Sequence, residues 1–322
     1  MEVHTHIKTP FLFVVLLATL ALGSTRVGFY NTTCSQAETI VRSVVESAVR
    51  LNQTFAPGIL QMFFHDCFVS GCDASILLDG SSSEKTAGPN SLLKGFEVID
   101  AAKSMLETAC PGVVSCADIL ALAARDSVVQ VGGTGWAVPT GRRDGLVSLA
   151  SEVTFPGPKD SVDDQIVKFV KKGLNTKDLV ILVGGHTIGR ASCTTFHHRL
   201  YNYSGTNVPD PAIDHTFLRH LRTMCPEGGD GARRVALDTD SVNNFDNSFY
   251  GNLRDGRGVL ESDSLLWSDP RTQKIVQGFI GGSRRHQSKF NKMFGRSMVK
   301  MSKIELKTGK QGEIRRVCNK IN

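Results

Sequence analysis

The chain has 322 residues, enough for one large core or for two lobes around a cleft. Charged residues make up 21% and hydrophobic ones 41%, the balance of an ordinary soluble globular protein, which excludes a disordered or low-complexity chain. The net charge of +6 is spread over short clusters such as Arg142-Arg143, Lys171-Lys172, Arg284-Arg285 and Arg315-Arg316, and no basic stripe interleaved with aromatics points to nucleic acid.

In chain order, the first element is a leader. Lys8 precedes the apolar run Phe11 to Leu22, which is too short to span a bilayer and is followed by small residues where a signal peptidase would cut. Residues 1–23 therefore read as a secretory signal, and residues 24–322 as the mature domain. The leader takes out Lys8 and Glu2 together, so the net charge is unchanged, and an exported basic surface suits an acidic extracellular polymer. Export also frames the eight cysteines. Their even number suggests disulfides, although eight cysteines allow 105 pairings that spacing alone leaves open. Asn31, Asn52 and Asn202 each open a glycosylation sequon, as expected of a secreted surface.

Helical patterns dominate the rest. Ser35 and Glu38 read as a capping box ahead of an apolar face at Ile40, Val41, Val44, Val45, Ala48 and Val49. Ser115 and Asp118 open a second helix through Ile119, Leu120, Leu122 and Ala123, closed by Gly132-Gly133. Ile166, Phe169 and Val170 mark another before Gly173, and Phe217, Leu218, Leu221 and Met224 mark one more. Phe290, Met293, Phe294, Met298 and Met301 extend the pattern near the carboxyl end. Trp136 to Pro139 is at best a short edge strand. The whole predicts a mostly α-helical, disulfide-stapled single unit.

Two histidines sit in apolar helical contexts. His65 follows Phe63-Phe64 and precedes Asp66-Cys67-Phe68-Val69-Ser70-Gly71-Cys72-Asp73-Ala74-Ser75, a stretch that sets two carboxylates among aromatics and small residues. Charge in such surroundings needs a partner to offset its desolvation, and a cation held by Asp66 and Asp73 would serve. His186 ends the run Leu179 to Gly185, where two glycines leave room for a large flat ligand. Either histidine alone reads more readily as a satisfied core residue than as a ligand or base.

Taken together, these stretches resemble the distal and proximal motifs of the secreted plant (class III) haem peroxidases, the horseradish type. Further matches are Phe29-Tyr30, Gly95 to Asp100, Cys110 to Asp118, Gly141 to Asp144, Phe245-Asp246-Asn247, Ser262-Asp263 and Gly312 to Cys318, so the likeness runs from about Arg26 to Cys318. The resemblance implies two helical lobes sandwiching one haem b, with four disulfides and two calcium sites. It implies that His186 is the axial ligand of the haem iron, with Asp263 accepting its other ring proton, and that an electron-rich ligand assists O–O cleavage. It implies that His65 is the general base for hydrogen peroxide, oriented by Asn90, with Phe64 as a wall and Pro156 at the rim where small phenolic donors enter.

The same resemblance pairs Cys34 with Cys110, Cys67 with Cys72, Cys116 with Cys318 and Cys193 with Cys225. It assigns one calcium to Asp66, Asp73, Ser75 and the carbonyls of Val69 and Gly71, and a second to Thr187, Asp238, Ser241, Asp246 and the Asn244 carbonyl. Read without the family, these residues serve equally well as turn formers and helix caps. It further implies a secreted monomer in the extracellular space or cell wall, bound to neither nucleic acid nor membrane; the chain ends four residues after Cys318, with no long carboxyl-terminal extension.

One position departs from the pattern. The family carries an arginine four residues before the distal histidine, and this chain has Gln61. An i, i+4 pair shares a helix face, so Gln61 points into the same pocket but brings no fixed positive charge. The leading expectation is a peroxidase with slowed peroxide activation. The alternative is a haem- and calcium-bearing wall-binding structural protein with weak or no turnover.

Overall fold

The computed structural model describes residues 24–239 and 241–322; the leader expected over residues 1–23 lies outside them. Among these residues twelve α-helices and one two-stranded sheet form. The first, α1 (Ala37–Leu51), places Ala37, Val41, Val45 and Val49 on one buried stripe at four-residue spacing. Each buried valine contributes about 1.5–3 kcal/mol by leaving water. The stripe meets α3 (Phe96–Ala109) and α4 (Cys116–Gln130), and α4 also packs on α2 (Phe55–Phe68).

Helix α4 is buried from Cys116 to Val128, charged residues included, so its polar groups need internal partners. Asp118 has them. It accepts from Tyr30 Oη at 2.7 Å, from the Gly141 amide at 2.6 Å and from Arg142 Nη1 at 2.8 Å, and neither side chain of the Arg142–Asp118 pair is exposed. Arg142 spends its remaining donors on the carbonyls of Pro139 and Ser302. A buried ion pair with this many satisfied donors and acceptors fixes how the chain before residue 142 docks on the helix ending near residue 302.

The second half carries α5 (Val162–Lys171), α6 (Thr176–Val183), α7 (Cys193–Tyr201), α8 (His215–Met224), α9 (Ser248–Arg254), α10 (Glu261–Ser268), α11 (Pro270–Gln277) and α12 (Arg284–Met301). A smaller apolar cluster, built around Phe196, Leu200, Phe217 and Leu221, holds α7 and α8 together beside β1 (Arg190–Ser192) and β2 (Arg234–Ala236). These two strands pair antiparallel, Ala191 opposite Val235. The main cluster runs from Tyr30 through α1, α2 and α4 to Phe290 and Phe294 on α12. The four disulfides join Cys34 to Cys110, Cys67 to Cys72, Cys116 to Cys318 and Cys193 to Cys225, as the family resemblance implied.

Two local expectations are corrected. Ser35 does not cap α1, whose first flanking residue is Gln36. The Ala37 amide bonds the Cys34 carbonyl, so the nearest donor that a Ser35 hydroxyl would serve is already taken. Residues 136–139 form no strand. Pairing is confined to a single bridge in which Thr140 and Arg26 exchange both amides, since Pro139 has no N–H to extend it. Ser115, by contrast, caps α4 as expected, accepting from the Asp118 amide at 3.1 Å.

Candidate active site and cation sites

His65 lies on the inner face of α2, 5% exposed. Its Nδ1 is 2.6 Å from Asn90 Oδ1, and Asn90 Nδ2 donates to the Glu84 carbonyl at 2.7 Å. The second bond fixes which end of the amide faces the histidine. Asn90 presents its oxygen, so His65 Nδ1 carries the proton and Nε2 carries the lone pair. Burial draws the His65 imidazole down to about 4, against the opposing effect of the Asn90 hydrogen bond, so the ring is neutral at neutral pH. The arrangement is that of a proton acceptor held in one tautomer.

Gln61 sits one turn earlier on the same face, with Nε2 at 3.4 Å from His65 Nε2. Since that imidazole nitrogen has no proton, the amide is the donor. The contact is longer than the usual N–H···acceptor range, so it is a weak bond. Phe64 stacks among Phe68, Phe155 and Phe169 with centroids 4.3–6.4 Å apart. Phe155, in the same loop as Pro156, lies nearest the base, its ring centroid 4.0 Å from that of His65. Pro156 follows it, half-buried, on a loop that Pro158 ties to α10 through a 3.0 Å bond to the Ser262 amide.

His186 occupies a single 3₁₀ turn, Gly184–Thr187, that continues α6. Its Nδ1 is 3.1 Å from both carboxylate oxygens of Asp263, which is buried on α10. Burial lowers the imidazole's proton affinity, but the Asp263 charge and hydrogen bonds outweigh it and leave it raised. Its other nitrogen makes no hydrogen bond among the described residues, and the side chain is 38% exposed although the residue lies deep in the molecule. The turn also approaches α2, since a Cβ on Gly185 would lie 3.5 Å from Leu60. Gly184 serves packing rather than ligand room: a Cβ there would lie 2.2 Å from the Tyr250 hydroxyl. A half-buried imidazole with a carboxylate on one nitrogen and open space at the other fits an axial ligand to a metal macrocycle.

Two clusters of oxygen donors flank these histidines. In the first, Asp66 accepts from the amides of Ala74 and Ile76, and Asp73 accepts from the Ser75 amide. Burial, then the charges of Asp73 and Glu84, push the Asp66 carboxyl well up. Burial first, with Asp73 and Glu152 adding to it, pushes the Glu84 carboxyl up to about 7. Ser75 Oγ and both Glu84 carboxylate oxygens are buried without a hydrogen-bond partner. Unpartnered oxygens of this kind among like charges are the donor set of a hard cation. Gly71, at φ +93°, turns the Cys67–Cys72 loop where a side chain would strike Glu305. The Val69 carbonyl accepts from Lys172 Nζ at 2.9 Å, and Lys307 Nζ reaches Asp73 at 2.5 Å. Neither lysine was found by sequence reasoning.

In the second cluster Thr187, next to His186, donates to Asp238 at 2.9 Å and lies 3.4 Å from Asp246. Ser241 donates to the Asn244 carbonyl and to Asp246. All five expected residues converge, joined by Ser248 and Asn252, which donate to Asp238 and were missed because hydroxyls and amides carry no spacing signal. Among the described residues no three His, Cys, Asp or Glu side chains form a ready metal group; each cluster completes its donor set with hydroxyls and carbonyls. The sequon residues Asn31, Asn52 and Asn202 are all exposed.

The peroxidase family pattern matches residues 41–281. Peroxidase N1 of Nicotiana tabacum is 58% identical over 99% of both chains. The chain belongs to the plant class III peroxidases. Peroxidase 71 of Arabidopsis thaliana is 59% identical over 94% of this chain and 90% of its own, and Peroxidase 62 of the same plant is 57% identical over 95% of each. As a peroxidase of this class it is an enzyme of a secreted, haem-dependent family that consumes hydrogen peroxide and small donors. No helix of the described residues is long and apolar enough to cross a membrane.

Proposed function

We propose that this peroxidase works outside the cell as a monomer, reduces hydrogen peroxide to water and withdraws single electrons from two small phenolic donors per cycle. The balance is H2O2 plus two phenols giving two waters and two phenoxyl radicals. His186, backed by Asp263, would hold haem b, which when bound supplies an iron redox centre that takes up the oxidising equivalents of peroxide and passes them to donors. Asp66, Asp73, Ser75, Val69 and Gly71 would hold one calcium, and Thr187, Asp238, Ser241, Asn244 and Asp246 a second.

His65 Nε2 takes the proton of the attacking peroxide oxygen and returns it to the leaving one, which departs as water. Asn90 keeps that nitrogen basic by holding the proton on Nδ1. Phe64 and Phe155 exclude water from the base, and Pro156 borders the donor entrance. The observation that carries this reading is the Glu84–Asn90–His65 chain of hydrogen bonds, which leaves the other ring nitrogen unprotonated, with only the weak contact to Gln61 on it.

Gln61 lowers the rate in two ways. Its amide hydrogen bond to Nε2 has to be displaced before peroxide can use the base, but at 3.4 Å that costs little. The missing positive charge matters more: losing one preorganised electrostatic group costs on the order of 10²–10³ in rate. The test is oxidation of a phenolic donor by the haem-loaded protein and by His65→Leu. The substitution is expected to lower the peroxide-dependent rate by about 10²–10⁴-fold. An unchanged rate would remove His65 from the mechanism.

A further inference from the structure

The first oxygen cluster differs from the second in what holds its donors. Lys307 Nζ lies 2.5 Å from Asp73 Oδ2, and Lys172 Nζ lies 2.9 Å from the Val69 carbonyl, so ammonium groups sit on two of the expected calcium ligands. Hydroxyls and an amide reach the Asp238 and Asp246 carboxylates of the second cluster instead. The two lysines are not equivalent. Lys172 also pairs with Glu305 at 2.8 Å, which offsets its charge. Lys307 pairs with Asp73 alone among the described residues, and that carboxylate is 1% exposed. Water and salt screen such a pair poorly.

The backbone delivers Lys307 to this position. After α12 the chain crosses the Cys67–Cys72 loop, where the Cys72 amide bonds the Ile304 carbonyl at 3.1 Å. Glu305 turns there at φ +46°, a left-handed conformation that residues with a Cβ adopt only at a cost. The Arg143 amide then holds the Lys307 carbonyl at 2.8 Å, and Asp144 and Glu313 bridge just beyond it. Gly145 completes the approach. A Cβ there would lie 2.2 Å from Asp73 Oδ2, the oxygen that Lys307 meets. A strained turn, a backbone clamp and a missing side chain thus converge on one carboxylate oxygen.

We propose, on the reading that this cluster holds calcium, that Lys307 is a resident counter-cation competing with calcium for Asp73. It lowers the calcium affinity of this one site and keeps the Cys67–Asp73 loop in place when calcium leaves. Both effects follow from one charge. An ammonium on a ligand oxygen cancels part of the field that attracts the ion, and it repels the ion at close range. The same ammonium partners a buried carboxylate that would otherwise stand uncompensated. Because Asp66 directly follows His65 on α2, a loop that survives calcium loss also protects the placement of the base.

The experiment equilibrates the haem-loaded protein with a graded series of calcium buffers and measures bound calcium. Melting temperature is followed at saturating calcium and in excess chelator. Asp73→Asn marks which bound ion belongs to this site, and Lys310→Gln, an exposed cation three residues beyond Lys307, controls for net charge. Lys307→Met is expected to hold the Asp73 ion more tightly by about tenfold or more and to leave the second ion unchanged. It should also melt below wild type in excess chelator, but not at saturating calcium. Lys307→Arg keeps the charge and should stay close to wild type in both measurements, as should Lys310→Gln. Unchanged or weaker calcium binding in Lys307→Met, an equal gain in Lys310→Gln, or a wild-type melting temperature of Lys307→Met in chelator would each overturn the role of Lys307. If Asp73→Asn retains every ion that wild type binds, the calcium reading itself fails and the role of Lys307 falls with it.

Discussion

A single hydrogen bond decides how His65 behaves. Because Asn90 donates to Glu84 and accepts from His65, the catalytic nitrogen is the one facing the pocket, and Asn90→Ala frees the ring to rotate. Misplacement of a reacting group costs about 10²-fold, so the variant's rate constant with peroxide is expected to fall by about that factor while its thermal stability changes little. The pH profile follows from the same site. With the His65 imidazole drawn down to about 4 by burial, the base stays neutral from pH 7 down to about pH 4, and the peroxide rate constant should hold level across that range and drop below it. A drop centred near 6.5, the ordinary histidine value, would mean that the pocket is wetter than its packing indicates. Most of these residues were legible in the chain, since His65, Asp66 and Asp73 stand in one short motif and His186 in another. Lys172 and Lys307 were not, because each reaches the site from a distant segment and has no partner spacing to betray it.

At the scale of elements, periodicity and caps read well where local groups decide the structure, and poorly where a neighbouring turn does. Ser115 caps α4 with its own hydroxyl; Ser115→Ala should cost about 1 kcal/mol of stability in a denaturant titration. Ser35 occupies a similar pattern before α1, yet its hydroxyl caps nothing and the Ala37 amide is already bonded to the Cys34 carbonyl, so Ser35→Ala should leave stability within about 0.5 kcal/mol of wild type. The charged groups inside α4 could be read as residues but not as a pair. The Arg142–Asp118 bridge joins positions 24 apart in an interior without exposure, and Arg142→Leu leaves a buried carboxylate unpaired. That loss is expected to cost about 3–5 kcal/mol, enough to show as a clear fall in melting temperature. A change under 1 kcal/mol would mean that Tyr30 and the backbone amides satisfy Asp118 alone.

The whole molecule is closed by its longest cross-link. Cys116–Cys318 spans 202 residues and ties the start of α4 to the carboxyl end, so removing it restores a large closure entropy to the unfolded chain. Cys116→Ala/Cys318→Ala should therefore lose about 5 kcal/mol on the chain-entropy account. Chelation of calcium is expected to lower the melting temperature as well, because the Asp66, Asp73 and Glu84 carboxylates then share a buried site with Lys307 and Arg315 to balance them. The fold class, the two pocket histidines and the pairing of cysteines were accessible through family likeness, while the alignment of cations along α12 was not, since only the folded helix lines them up. The expected departure from the family pattern is Gln61. Its central test is stopped-flow absorbance of the haem-loaded protein mixed with hydrogen peroxide, wild type beside Gln61→Arg. The account predicts a haem band that changes in both, at least tenfold faster in the variant. Equal rates, or a wild-type band that never changes, would contradict it.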